Sequence, residues 1–169
     1  MIQASYEETI ELLFEHAIEN EYSAAQIYKR LSKLFSHVPG LSDFWDELFQ
    51  DEIRHTNILK DLQKLLTPEQ LLTPADKKMW DNVTKIRRML SKDLVEPIKT
   101  LDDAYELAHE LEFSEVNTVF QFLAAEFLPS GEQQKQVVSE ITIHQQKLFD
   151  LNRHFGDRNW RRGIAIQRS

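Results

Sequence analysis

The chain has 169 residues, with 28 Asp+Glu against 20 Lys+Arg, no cysteine, 4 Gly, 5 Pro and 41% hydrophobic residues, a profile that fits one compact domain and argues against disorder. The lack of cysteine excludes disulfides, thiolate-held zinc, iron–sulfur clusters and thiol nucleophiles, so any metal must be held by carboxylate and imidazole. The net charge of −8 is uneven: residues 1–152 hold 27 acids and 15 bases, whereas 153–169 hold Arg153, Arg158, Arg161, Arg162 and Arg168 against Asp157.

An acidic body of this kind repels nucleic acid. The Arg-rich tail, 157–169, reads as a solvated segment folding back on the body, 1–156. There is no apolar run of the ~20 residues that a membrane helix needs and no basic, apolar leader, which predicts no membrane segment and a cytoplasmic location.

Gly and Pro fall in clusters at Pro39-Gly40, Pro68 to Pro74, Pro97, Pro129-Ser130-Gly131 and Gly156, leaving long unbroken segments between them. N-cap residues followed three positions later by a side chain able to reach back mark helix starts at Ser5 with Glu8, Thr100 with Asp103 and Ser130 with Gln133; Thr73-Pro74 with Asp76 gives a further start. Together these predict helices over 5–36, 41–66, 74–92, 100–127 and 132–155. No stretch alternates at period two long enough for a strand, so the class is all-α.

Four of these helices carry an inward seam with steps of four and three, the spacing of bundle packing. The first reads Ile10, Phe14, Ala17, Glu21, Ala24, Tyr28, Leu31, Phe35, and the second Leu41, Trp45, Leu48, Glu52, His55, Leu59, Leu62, Leu66. The third reads Leu101, Tyr105, Ala108, Glu112, Glu115, Val119, Phe122, and the last Val137, Ile141, His144, Leu148, Leu151, Phe155. The segment 67–99, with its own amphipathic stretch at Trp80, Val83, Ile86 and Leu90, is far longer than a tight turn requires. It predicts a full-length crossover between parallel helices, as in a ferritin-like four-helix bundle.

Near the middle of each seam, ionisable groups occupy core slots. Burying one carboxylate among Leu, Phe and Ala costs several kcal/mol unless it is neutralised or paired, and several together repel one another. No Lys or Arg sits on these seams. Glu21, Glu52, Glu112 and Glu115, with His55 and His144, therefore call for divalent cations, and oxygen-rich shells with imidazole favour iron or manganese, with zinc as an alternative. Glu52 and His55 stand at i and i+3, so both face one centre from one helix turn.

Ala17-Ile18-Glu19-Asn20-Glu21 followed by Tyr28, Asp51-Glu52-Ile53-Arg54-His55 and Leu107-Ala108-His109-Glu110-Leu111-Glu112 together resemble the rubrerythrin branch of the ferritin-like di-iron carboxylate proteins, over about residues 5–66 and 100–155. The resemblance implies two irons, with Glu21 and Glu112 as terminal ligands, Glu52 as a bridge, His55 and His144 as terminal imidazoles, and Glu115 as the additional glutamate of rubrerythrin-like sites. It also implies oxidation of Fe(II) by peroxide or oxygen. The electron-donating rubredoxin module needs cysteines that this chain lacks, so an external electron donor is implied.

The chain departs from the family at one place: the second bridging glutamate is expected three residues before the final histidine, where Ile141 stands. Glu140, four residues before His144, could replace it if a π-bulge added a residue to that turn. Otherwise the second bridge is missing, and the alternative is a single-metal or non-catalytic bundle with a degenerate site, acting in metal binding or protein interaction. Tyr28 is expected to donate to the metal layer, and His16, His37 and His154 to be exposed. Phe44, Phe49 and Phe120 exceed the needs of the seams and predict a helix-pair interface in a homodimer.

Overall fold

The computed structural model describes residues 8–168, apart from the side chain of Glu115. The described residues are helical and contain no strand: α1 (Ile10–Leu34), α2 (Leu41–Leu65), α3 (Pro68–Leu71), α4 (Lys77–Leu90), α5 (Leu101–Glu112), α6 (Glu115–Phe127), α7 (Gly131–Phe155) and α8 (Arg158–Arg162). None of these helices is long and apolar enough to cross a membrane.

Two apolar clusters order the helices. One gathers Ile10, Leu13, Phe14 and Ala17 of α1 with Leu59 and Leu62 of α2, Val119, Phe120 and Leu123 of α6, and Val137 and Ile141 of α7. The other gathers Tyr28, Leu31 and Phe35 from the far end of α1 with Leu41, Trp45 and Leu48 of α2, Leu101 to Leu111 of α5, and Leu148 and Leu151 of α7. Thus α1 and α7 run one way, while α2 and the α5–α6 rod run the other. Two consecutive long helices that are parallel need a connection as long as themselves. Helix α4 provides it, with Met79 and Val83 in the first cluster and Met89 and Leu90 packed on the second.

The predicted starts hold at α5, where Thr100 and Asp103 form a reciprocal capping box, and at α7, where Ser130 accepts from the Gln133 amide. Three boundaries differ. Ser5 lies outside the described residues, and α1 begins at Ile10 with Thr9 as its cap. Residues 8–10 instead run extended beside 73–75, through Ile10 N–H to the Thr73 carbonyl at 2.9 Å and Ala75 N–H to the Glu8 carbonyl at 2.7 Å. With Thr73 to Ala75 engaged there, α4 starts later, capped by Asp76. Thr67 and Gln70 form a capping box of their own, opening the short α3. At Gly40 the chain enters α2 with φ +78°, a left-handed conformation that side chains strain.

The third correction bears on the site. The helix expected over 100–127 is broken at Phe113-Ser114. Ser114 caps α6 by accepting from the Val116 amide, and its hydroxyl donates to the Leu111 carbonyl at 2.7 Å. The Glu112 carbonyl, which has lost its helical partner, accepts from Asn117 Nδ2 at 2.6 Å and Gln145 Nε2 at 3.1 Å. The break shifts the inward face of α6: Phe120 and Leu123 are fully buried, while the expected seam residue Phe122 is only partly so.

The Arg-rich segment does fold back on the body, but not as a solvated tail. Leu101 N–H donates to the Ile164 carbonyl and Ile166 N–H to the Lys99 carbonyl. Arg161 is 5% exposed, lies 4.1 Å over the Tyr105 ring, and meets the buried Asp102 at 3.0 Å. Arg158 and Arg162 reach the same carboxylate from the surface at 3.3 and 3.4 Å.

Candidate metal centre

Between the two apolar clusters, at mid-height, the seams become polar as their sequence pattern requires. Glu21 of α1, Glu52 and His55 of α2, Glu112 at the end of α5 and His144 of α7 are all 3% exposed or less. Ligand atoms of Glu52, His55 and His144 lie within 4.8 Å of one another. His55 Nδ1 is 3.3 Å from Glu52 Oε2 and 3.6 Å from Glu21 Oε2. His144 Nδ1 is 3.1 Å from Glu112 Oε2 and 3.5 Å from Glu52 Oε1. Glu52 thus stands between both imidazoles, and each imidazole meets a second glutamate from another helix.

The cluster is not self-satisfied. Among the described residues, Glu21 Oε2, Glu112 Oε2 and both nitrogens of His144 are buried without a hydrogen-bond partner; His144 and Glu112 are close, but not aligned to bond. Four orphaned polar atoms in one layer are an unusual concentration. A cation that draws Glu21 Oε2, Glu112 Oε2 and His144 Nδ1 to about 2.0–2.2 Å satisfies three of them, while His144 Nε2 faces outward toward Asp51.

The electrostatics agree. Burial and the neighbouring Glu21 charge push the Glu52 carboxyl from 4.5 to about 7. Burial opposes a charge on His55, but its contacts with Glu21 and Glu52 override this and hold its pKa well above the usual value. His144 is raised likewise, burial being outweighed by Glu112 and Glu52. Protons thus take the place of missing positive charge in a layer with no Lys or Arg. Tyr28, fully buried, donates its hydroxyl to Glu112 Oε1; burial and the Glu112 charge keep this phenol protonated, far above its ordinary range. Its ring stacks on Trp45, with centroids 6.1 Å apart, and Phe120 covers His55 at 4.6 Å.

Five of the seven expected ligands therefore meet: Glu21, Glu52, His55, Glu112 and His144. Glu115 opens α6, and its side chain lies outside the described residues. Glu140 is not brought in. Helix α7 is α-helical throughout Gly131–Phe155, without a π turn, so Ile141 faces inward at 1% exposure and Glu140 points to the rim, 3.7 Å from Arg54 Nε. Positions i−3 and i−4 flank His144 on opposite sides of one face; here the flank turned to the core carries Ile141 and the flank turned to Arg54 carries Glu140.

Asp51 is a neighbour that the sequence pattern left without a role. Buried beside Glu52, it accepts from Arg54 at 2.6 Å and Lys147 at 2.7 Å, and its Oδ2 lies 3.9 Å from His144 Nε2. Burial raises its pKa, but Lys147 and His144 outweigh that and keep it ionised. The aromatics expected at an interface are engaged within the chain: Phe120 is core, Phe44 packs edge-on against Trp45 at 5.0 Å, and Phe49 lies 5.0 Å under the Lys29 ammonium. His37 and His154 are exposed as expected, but His16 is partly buried, 5.2 Å from the Trp80 ring. Comparison with family models, with curated proteins and with solved structures finds no match to this chain.

Proposed function

We propose that this protein is a ferritin-like bundle of the rubrerythrin type that binds iron at the Glu52–His55–His144 centre and oxidises Fe(II) with peroxide or oxygen. The observation that carries this reading is the convergence of those three side chains with Glu21 and Glu112, drawn from four helices, sealed from solvent and left with unpaired ligand atoms. Iron held there supplies the one-electron couple through which Fe(II) reduces the oxidant. The chain's own groups do the rest. Glu52 lies between the imidazoles, and Tyr28 fixes one Glu112 oxygen by donating to it. Phe120 and the flanking Leu and Ile side chains exclude water, which strengthens each charge interaction inside. The protons on His55, His144 and Glu52 leave when a metal arrives.

A second reading has its own support. With Ile141 in the place of a bridge, the donor set is asymmetric and serves one ion better than two. The test is anaerobic loading with Fe(II), followed by metal analysis and then peroxide. The proposal expects retained iron, faster oxidation than for iron in buffer, and loss of both in Glu52→Ala. One retained iron that peroxide does not oxidise supports the single-metal reading, and no retained iron in the wild type defeats both.

A further inference from the structure

Among the described residues all five inner side chains are sealed from solvent, so a metal that reaches this centre must pass the side chains that cover it. On the outer face of that cover, between α2 and α7, lies a cleft of about 360 Å³ lined by Asp43, Asp46, Glu47, Gln50, Asp51 and Lys147. We propose that this cleft is a docking site for divalent cations on their way to the buried centre, and that Lys147 is the resident counter-ion which an arriving metal displaces. The inference rests on the metal-binding reading above.

Two independent observations support it besides the acidic lining. First, His144 spans the cover: its Nδ1 faces Glu112 and Glu52 inside, while its Nε2, buried and without a hydrogen-bond partner, lies 3.9 Å from the Asp51 oxygen that lines the cleft. An imidazole with a nitrogen facing each side stands between the outer carboxylate and the inner ones, and once neutral it offers its one unprotonated nitrogen to a cation on either side, according to tautomer. Second, a cation already stands there. The Lys147 ammonium is 2.7 Å from Asp51 Oδ2 and 3.8 Å from Glu47 Oε2, bridging the helices where a divalent ion would sit. Two further bases neutralise cleft carboxylates from the rim: Lys29 pairs with Asp46 at 2.7 Å, and Arg54 divides itself between Asp51 and Glu140 outside the cleft. That leaves Asp43, which has no ion pair among the described residues, as uncompensated charge at the mouth, beside Glu47, whose one ion pair there is the 3.8 Å approach of Lys147. With Lys147 displaced, the mouth carries net negative charge that draws cations in, an effect that salt screens.

The experiment measures loading and docking separately. Anaerobic Co(II) loading of the buried centre is followed by the cobalt absorption of wild type, Lys147→Gln, Asp43→Asn and Glu47→Gln, at low and high salt. Loading about tenfold faster in Lys147→Gln and several-fold slower in both acid variants is expected, with unchanged final occupancy and smaller differences at high salt. In Glu52→Ala, Mn(II) should still broaden the amide signals of residues 43–51 and 147. The inference requires both results. Rates within twofold of wild type for the lysine variant or for the acid variants overturn it, as does absence of broadening at the cleft. If the wild-type centre takes no cobalt while Mn(II) still broadens the cleft signals, the functional reading fails and the cleft remains a cation site without an onward route, which also overturns its proposed role.

Discussion

Replacing Glu52 by Gln should stabilise the metal-free protein at alkaline pH while removing its metal. The folded structure holds this carboxyl at about 7 instead of 4.5, a value that already contains the attraction of His55 and His144. The folded state therefore binds more protons than the unfolded chain between those two values, and stability falls as pH rises through that window. At 1.36 kcal/mol per unit, ionised Glu52 costs the fold about 3 kcal/mol at pH 8 and less than about 1 kcal/mol at pH 5. Gln keeps the shape of the protonated acid and cannot ionise. In chelator, urea unfolding should show Glu52→Gln more stable than wild type by about 3 kcal/mol at pH 8, or roughly 6–12 °C in Tm, with the gap closing toward pH 5. A variant equal to or less stable than wild type at pH 8 would show that Glu52 is well solvated by its partners and has no need of a cation.

Ile141→Glu should increase the iron retained per chain and speed its oxidation, measured by metal analysis and stopped flow, because it returns a carboxylate to the face of α7 that His144 shares; unchanged iron content would mean that position 141 does not face the metals. Metal loading should release protons into a weakly buffered solution and tighten as pH rises, since His55, His144 and Glu52 must all deprotonate to become ligands; binding that is independent of pH from 6 to 8 contradicts that ligand set. Arg161→Met should destabilise the protein by about 2 kcal/mol in urea unfolding, less than the 3–5 kcal/mol typical of a broken buried pair, because Arg158 and Arg162 still reach Asp102; no loss would mean that the tail contributes nothing to the fold.

The sequence made the bundle legible because its information is periodic. Seam residues of α1, α2 and α7 are buried nearly as spaced, and the ionisable interruptions Glu21, Glu52, His55 and His144 fall in one layer since equal spacings along rods of equal length bring them level. What periodicity missed is what departs from it. A uniform repeat carries no warning that Ser114 and Asn117 will take over backbone hydrogen bonds and restart the helix. Glu140 could join the layer only through a bulge in α7, and the regular hydrogen bonding of that helix turns it outward. The role of Asp51 depends on Lys147, 96 residues away, and the burial of Arg161 on Asp102. Such long-range ion pairs leave no spacing to read.

Anaerobic titration of the metal-free protein with Fe(II), followed by gel filtration and metal analysis of wild type beside Glu52→Ala and His55→Ala, tests the buried centre most directly. The account predicts at least one iron per chain retained by the wild type, with a second held more weakly, and none in either variant. Iron absent from the wild type, or retained equally by all three proteins, would contradict it.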